Sequence, residues 1–270
     1  TTGIQNTIIG SLAGDALTTG VSNTVLGYGA LSTEDTGSRA IAIGYKALLT
    51  QNYDGNSYNV AIGYEAGKAI TTGVQNTLIG GLAGDTITTG ANNVAVGYDT
   101  LSAIDSGARN TAVGYQALKT LNVGGIGNNT ALGYQAGTAM TSGVENTIVG
   151  ALAGDALTTG GYNTLMGVHA GGGLVEGTDN VAIGWSALKT ENAHGGNVAI
   201  GKEALKTLDA GAEGYNVAIG LVAGKLMTTG INNTILGAFA GDALTSGSYN
   251  VAVGRNALSA EDTHGTNVAV

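Results

Sequence analysis

The chain has 270 residues, a formal net charge of −9, 48 glycines, and neither proline nor cysteine. Its ten basic residues are scattered, which excludes nucleic-acid binding because phosphate recognition needs clustered lysine and arginine. No apolar run approaches the roughly 18–20 residues of a membrane span, so we expect no membrane insertion of this segment. The 43% of hydrophobic residues recur in register, which excludes a glycine-rich disordered chain.

A five-residue marker, Asn-Thr/Val-x-Ile/Val/Leu-Gly, recurs along the whole chain. Most steps between copies are 17 residues and three are 19, and such a fixed period is typical of units that stack on one another. We call each unit a coil, and we number the places within it from the first residue of the marker. Coils 1 to 16 begin at residues 6, 23, 40, 59, 76, 93, 110, 129, 146, 163, 180, 197, 216, 233, 250 and 267.

The marker itself predicts a short β-strand, because valine, isoleucine, threonine and alanine stand between asparagine and glycine. Seventeen residues cannot hold a strand, a full crossover helix and two loops. The sequence therefore predicts an all-β fold, a parallel β-solenoid of 17–19-residue coils, with room in each coil for a second short strand and a turn. We expect residues 1–270 to form a single continuous array of about 16 coils.

The strand is apolar on both faces. Val60 and Ile62, at the second and fourth places, point to one face, and Ala61, at the third place, points to the other. A strand that is apolar on both faces is buried on both, and a thin coil has only one interior. The pattern predicts that the second face meets another chain, and we assign the third-place alanines Ala61, Ala131 and Ala218 to that interface.

Two columns of the repeat are nearly invariant. Asparagine occupies the first place in every coil except at Ala40, as in Asn59 and Asn110. It predicts either a ladder of side-chain amides or turn residues in the left-handed region. Glycine occupies the fifth place in all fifteen complete markers, as in Gly63 and Gly114. It indicates a positive φ or the close approach of another chain.

Volume varies in a pattern along the repeat. Coils with the sequence Ala-Gly-Asp carry a large third place, a small sixth place and a large seventh place, whereas most others have alanine third and often tyrosine sixth. We interpret this as volume exchanged between the third, sixth and seventh places, with the Ala-Gly-Asp coils forming a distinct packing layer.

The segments NVAIGYEAG (59–67), NTAVGYQALKT (110–120) and NTALGYQAG (129–137) carry a family resemblance. They resemble the head repeats of trimeric autotransporter adhesins and, more closely, the GYQAL-type repeats of phage and phage-like tail-fibre proteins. The resemblance implies a left-handed β-roll assembled as a homotrimer, located extracellularly on a cell surface or a virion. The units are longer than the adhesin repeat and often have threonine at the second place, which leaves the choice between the two families open.

The resemblance also implies a structural fibre segment that serves adhesion or host recognition, and we expect the chain to be an excerpt of a longer fibre. Possible partners are a second and third copy of the chain and a cell-surface glycan or protein receptor. Recognition would fall on the variable loops at 33–38, 50–58, 120–128 and 172–179. The alternative is a passive spacer without a ligand.

Several patterns that suggest site chemistry favour a structural interpretation instead. The tenth-place aspartates share their column with Lys68 and Lys225, so we assign them to solvated turns and not to calcium. The sequence GYEAGKA is one residue short of a phosphate-binding loop. The three histidines lack a ligand or triad partner at a meaningful spacing. The sequence predicts no enzymatic activity, no metal and no cofactor.

Aromatic residues at the sixth place form the one candidate binding stripe, because aromatics with a polar tip favour interfaces. Its members are Tyr45, Tyr64, Tyr98, Tyr115, Tyr134 and Trp185. The other interpretation is that these aromatic side chains only cover the corner of the coil. Paired threonines, such as Thr18–Thr19 and Thr88–Thr89, suggest an ice-binding face, but they are absent from many consecutive coils.

Overall fold

The computed structural model describes residues 2–260 and 263–270. Within these residues the regular secondary structure is β only, with one short strand per coil at places 2 to 4, and no helix. The strands are β1 (Thr7–Ile9), β2 (Thr24–Leu26), β3 (Ile41–Ile43), β4 (Val60–Ile62), β5 (Thr77–Ile79), β6 (Val94–Val96), β7 (Thr111–Val113), β8 (Thr130–Leu132), β9 (Thr147–Val149), β10 (Thr164–Met166), β11 (Val181–Ile183), β12 (Val198–Ile200), β13 (Val217–Ile219), β14 (Thr234–Leu236), β15 (Val251–Val253) and β16 (Val268–Ala269).

The chain divides into two compact units, one ending at Leu132 and the other beginning at Gly133. In the first unit β1 to β8 pair in chain order, and every pair is parallel with identical places opposite each other, as in Ala42 opposite Ala61. In the second unit β9 to β16 follow the same rule. The chain is therefore a parallel β-solenoid of about fifteen coils, as the repeat predicts.

The second strand expected in each coil is replaced by a turn segment in the described residues. Its backbone still bonds to neighbouring coils, as in Leu82 N–H donating to Tyr64 C=O at 2.8 Å and Gly84 N–H to Thr100 C=O at 2.9 Å. The segment is not a strand because its seventh and ninth places lie in the left-handed region, as does the residue before each marker. In all, 36 non-glycine residues have φ between 48° and 63°.

The interior of each coil is lined by the third, eighth, ninth and twelfth places, which are buried almost throughout. A large third place is matched by glycine at the ninth. A Cβ atom on Gly84 would lie 2.8 Å from Leu78 Cδ2, and one on Gly67, in the preceding coil, would lie 2.8 Å from Leu78 Cδ1. Where the third places of a coil and of the following coil are both alanine, as at Ala112 and Ala131, leucine fills the ninth place of the first coil, here Leu118.

The predicted exchange of volume with the sixth place is therefore wrong. The sixth-place side chains lie outside the coil, as the exposed rings of Tyr64 and Tyr98 demonstrate. The exchange takes place between the third and ninth places, where close packing demands it. No helix of the described residues is long and apolar enough to cross a membrane.

Candidate functional site

The asparagine column forms an amide ladder within each unit, interrupted in the first unit at coil 3, which confirms the first of the two predicted roles. Asn76 is fully buried, and its Nδ2 donates to Gly90 C=O at 2.9 Å. Its Oδ1 accepts the backbone N–H of Asn93 at 3.0 Å and Asn93 Nδ2 at 3.2 Å. Asn59 and Asn110 occupy the same position in their own coils and also accept from the next asparagine.

Coil 3 lacks the amide, and its neighbours compensate. Ala40 N–H still donates to Asn23 Oδ1, at 2.9 Å, but no Oδ1 is present for Asn59. The backbone N–H of Asn59 instead donates to Ser57 Oγ at 3.5 Å, and Asn59 Nδ2 donates to Gln51 Oε1 at 2.8 Å. Gln51 is fully buried at the twelfth place, so a polar side chain in the interior replaces the missing one.

The fifth-place glycines have the predicted positive φ, and they also meet a close approach, although not from another chain. Their φ angles lie between 119° and 145°, with 145° at Gly63 and 132° at Gly114. A Cβ atom on Gly63 would collide with the backbone carbonyl of Gly80 in the next coil. The close approach is thus made by the next coil of the same chain.

The third-place alanines do not lie at an interface between chains. Ala61, Ala131 and Ala218 are completely buried within the single chain. They line the interior of the coil, because the strand turns its third place inward and its second and fourth places outward. Their assignment to an interface is therefore wrong, and they are core residues.

The outward face of the strands is apolar and partly exposed. The second place holds only threonine, valine or isoleucine, and the fourth only isoleucine, leucine, valine or methionine. Fourth-place exposure reaches 42% at Leu26, 48% at Leu132 and 40% at Met166. We call this surface the outer strand face. It carries no charged residue in any coil and extends through the coils of each unit.

The sixth-place aromatics line one edge of the outer strand face and form stacks. The ring centroids of Tyr28 and Tyr45 are 5.5 Å apart, those of Tyr45 and Tyr64 are 5.2 Å apart, and those of Tyr98 and Tyr115 are 5.9 Å apart. The planes differ by at most 14°. Inside a stack the ring faces cover one another, so only edges and hydroxyl groups remain open to a ligand.

The tyrosine stack of the first unit is interrupted at coil 5. Gly81 occupies the sixth place there and contributes no side chain between Tyr64 and Tyr98. Since parallel strands are about 4.8 Å apart, two coils separate the rings by about 10 Å. The inner tyrosines are less exposed than these two, at 40% for Tyr45 against 55% for Tyr64. We call this space the tyrosine gap.

In the second unit, Tyr134 and Trp185 are exposed and lie three coils apart at the sixth place. Cations cover the indole, with Lys202 Nζ 5.3 Å and Lys206 Nζ 5.6 Å from the centroid of Trp185. Hydrogen bonds from Lys206 and then Lys225 lower the pKa of the Glu203 carboxyl to about 2. Lys206, one of the two cations over Trp185, is thus held by a neighbouring carboxylate.

The tenth-place aspartates are less solvated than predicted. Asp15 is exposed, but Asp85 is half-buried, and its Oδ1 has no hydrogen-bond partner in the described part of the chain. Burial raises the pKa of Asp85 to about 6, and the nearby carboxylates of Asp99 and Glu65 add to the shift. Within the described residues, the Asp85 carboxyl belongs to no group of three or more side chains that could hold a metal ion.

The first threonine of each pair bonds to the neighbouring coil. Thr18 Oγ1 donates to Asp35 C=O at 2.9 Å, and Thr158 Oγ1 donates to Val175 C=O at 2.8 Å. A hydroxyl that is bonded to the backbone is not free to organise water. This observation weighs against an ice-binding face.

Sequence reasoning missed two carboxyl groups inside the solenoid. Glu34 and Glu191 occupy the twelfth place, which otherwise holds mainly leucine, isoleucine or methionine, and both are fully buried. Glu34 Oε1 accepts Gly37 N–H at 2.7 Å, and its Oε2 accepts Gln51 Nε2 and Tyr53 N–H, both at 3.1 Å. The signal was present as a polar exception in an apolar column. The variable segment 33–38 is thus anchored from inside.

Comparison of the chain with protein-family models, with curated proteins and with solved structures finds no match.

Proposed function

We propose that this chain is a structural segment of an extracellular attachment fibre, in which three copies associate side by side through their outer strand faces. The observation that supports the proposal is the outer strand face itself, an uncharged surface of valine, isoleucine, leucine, methionine and threonine that the single chain leaves partly exposed. Soluble monomers rarely expose large contiguous apolar patches, and those that exist commonly mark interaction sites.

The period of the outer strand face supports another copy of the chain as the partner. Its side chains repeat with every coil, so a partner that matches it over many coils must have the same rise per coil. A second copy in parallel register has that rise by construction. The number three and the left hand of the coils come from the resemblance to adhesin heads and tail fibres.

The test is a pair of charges placed on the outer strand face. Ile79→Glu with Ile219→Glu substitutes the exposed fourth places of coils 5 and 13 without touching the interior. We expect sedimentation equilibrium to give a trimer for the native chain and a folded monomer for the variant, because buried unpaired charge is costly. The matched control, Thr89→Glu with Thr229→Glu, adds the same charges to exposed places of the same coils and should stay trimeric. A native chain that sediments as a folded monomer contradicts the proposal.

Recognition of a cell-surface glycan at the tyrosine gap is favoured over a passive spacer by one observation. Tyr64 and Tyr98 flank Gly81 at the sixth places of coils 4 and 6. The carboxylates of Glu65 and Asp99, which pair with Lys68 and Lys119, follow at the seventh places. A pyranose ring presents C–H groups that stack on aromatic faces and hydroxyl groups that donate to carboxylates. Aromatic residues with polar tips serve such mixed surfaces well.

Gly81→Tyr tests glycan recognition, because it fills the tyrosine gap with the residue that neighbouring coils carry at this place. We expect it to remove binding of methyl pyranosides in saturation-transfer NMR, while Tyr98→Ala weakens binding about 3–10-fold. Ala151→Tyr, at the sixth place of coil 9, is the control and should leave binding unchanged. If no pyranoside binds the native trimer, the fibre is a spacer at this surface, and the assembly proposal is unaffected.

A further inference from the structure

The variable turn of coil 11 brings a histidine and two carboxylates together. Glu191 and His194 lie on coil 11. Asp209 lies on coil 12, directly after the leucine at the twelfth place. One ligand atom from each side chain lies within 4.8 Å of those of the other two. The prediction that His194 is isolated is therefore wrong.

The geometry of the pair on coil 11 is already that of two metal ligands. His194 Nδ1 is 3.4 Å from Glu191 Oε1, although the two atoms are not aligned for a hydrogen bond. A tetrahedral zinc ion with ligand bonds of about 2.0–2.2 Å holds its ligand atoms about 3.4 Å apart. Only the third carboxylate must move closer, and Asp209 is exposed and free to do so.

Within the described part of the chain, His194 Nδ1 makes no hydrogen bond although it is shielded from solvent. Buried polar atoms are normally satisfied, and an orphaned one calls for an explanation such as an unseen ion or water. A cation between Nδ1 and the two carboxylates satisfies it.

The backbone around these side chains is fixed by other bonds. The peptide N–H groups of His194 and Ala210 donate to Glu191 Oε1 and Oε2, both at 3.3 Å, which orients the buried carboxyl. Asn180 of the amide ladder donates to His194 C=O at 3.1 Å, and Asp209 N–H donates to Thr228 C=O at 2.8 Å. The ligand-bearing backbone is thus held in place before any ion arrives.

We propose that Glu191, His194 and Asp209 form a divalent transition-metal site of the zinc type that joins coils 11 and 12. An imidazole nitrogen with two carboxylate oxygens suits zinc and its neighbours, and three protein ligands leave the fourth position to water. Calcium is disfavoured because it takes six to eight oxygen ligands, whereas this site offers two carboxylates and a nitrogen. The ion neutralises two acidic groups and ties the 19-residue coil 12 to its predecessor.

The experiment uses zinc chloride and the untagged full chain. Glu261 and His264 repeat the Glu-x-x-His spacing in sequence, so the titrations are made in a His264→Gln background to report coils 11 and 12 alone. We expect isothermal titration calorimetry to give one zinc ion per chain. His194→Gln should weaken binding by about tenfold or more, and Asp209→Asn should weaken it measurably. Bound Co²⁺ should show the intense visible absorption of tetrahedral coordination.

His169→Gln is the matched control, since it removes an imidazole that belongs to no such group of ligands. It should leave the affinity for zinc unchanged. Circular dichroism verifies that each variant keeps its strands. Absence of zinc binding by the background chain overturns the proposal. So does a His194→Gln variant that is folded and binds zinc as tightly as the background chain.

Discussion

At the scale of single residues, the fifth-place glycines are fixed twice over, by their φ angles and by the carbonyl of the next coil. Either constraint alone leaves some room for alanine, since the backbone can relax toward an allowed φ or the coils can separate slightly. The two constraints together leave no room for alanine. Separating the coils breaks the strand pairing, and relaxing the φ angle moves the Cβ atom further into the neighbouring coil. This explains the invariance of the column within a single chain.

Gly63→Ala should therefore destabilise its coil strongly, by about 3 kcal/mol or more, since steric collision adds to a glycine-only φ. Gly124→Ala is the control, because a Cβ atom there meets nothing within 4 Å and its φ is ordinary. It should change stability by less than about 0.5 kcal/mol. Hydrogen exchange of β4 and β5 amides measures both, and equal protection in the two variants contradicts the assignment.

Asp85 gives the molecule a pH dependence opposite to that of most carboxylates. Its pKa is raised to about 6 by burial, from 3.8, so the folded chain binds a proton more readily than the unfolded chain in this window. The contribution of Asp85 to stability must then fall as the pH rises from about 4 to about 6 and stay level above that range. Because the group is half-exposed, we expect a contribution on the order of 1 kcal/mol.

Asp85→Asn should remove this slope and raise the free energy of unfolding at pH 7, as measured by denaturant titrations at several pH values. Asp15→Asn removes the same charge from an exposed tenth place and should leave the slope intact. A native chain whose local stability near coil 5 rises between pH 4 and pH 6 would contradict the assignment.

At the scale of the coil, the packing partners are the third and ninth places of one coil and the ninth place of the coil before it. Leu78 fills the space above Gly84 and Gly67, so a leucine added at residue 84 must collide with it. Leucine in the left-handed region is otherwise acceptable at the ninth place, as at Leu101 and Leu118. The two positions are thus energetically coupled and not independently restricted.

A double-mutant cycle measures this coupling. We expect Leu78→Ala to cost about 2–5 kcal/mol through the cavity that it leaves. Gly84→Leu alone should also destabilise, whereas the double variant should recover about 1–3 kcal/mol relative to the sum of the two. Unfolding free energies that add without an interaction term exclude the pairing of these places.

The coil was largely predictable from the sequence because its period, strand and glycine column are all local signals. Which face of the strand points into the coil could not be predicted. Ala61 and its neighbours Val60 and Ile62 are all apolar, so alternation alone cannot tell which face points inward. Chain closure decides it, since the narrow interior takes alanine at the third place, or a larger side chain where glycine stands at the ninth place. The grouping of Glu191 and His194 with Asp209 was equally hidden, because it depends on how coil 12 folds over coil 11.

At the scale of the whole molecule, charge and apolar surface are kept on different parts of the solenoid. The net charge of −9 resides in turns, while the outer strand face has no ionised group. Such separation lets the turns keep the chain dispersed in water while one face stays available to identical chains. The proposed assembly through that face would also cover much of the exposed apolar area that the single chain presents.

The left-handed residues of every coil have a consequence for the time course of folding. Each such residue costs roughly 1–2 kcal/mol in isolation, and the bonds that compensate for it run to the neighbouring coils. A lone coil is therefore unstable, and the first contact between coils is the slow nucleating event. Every later coil pairs with a coil that is already folded. Refolding should be limited by nucleation and propagate rapidly afterwards, and its rate should depend on the best-packed neighbouring coils more than on the total length of the array.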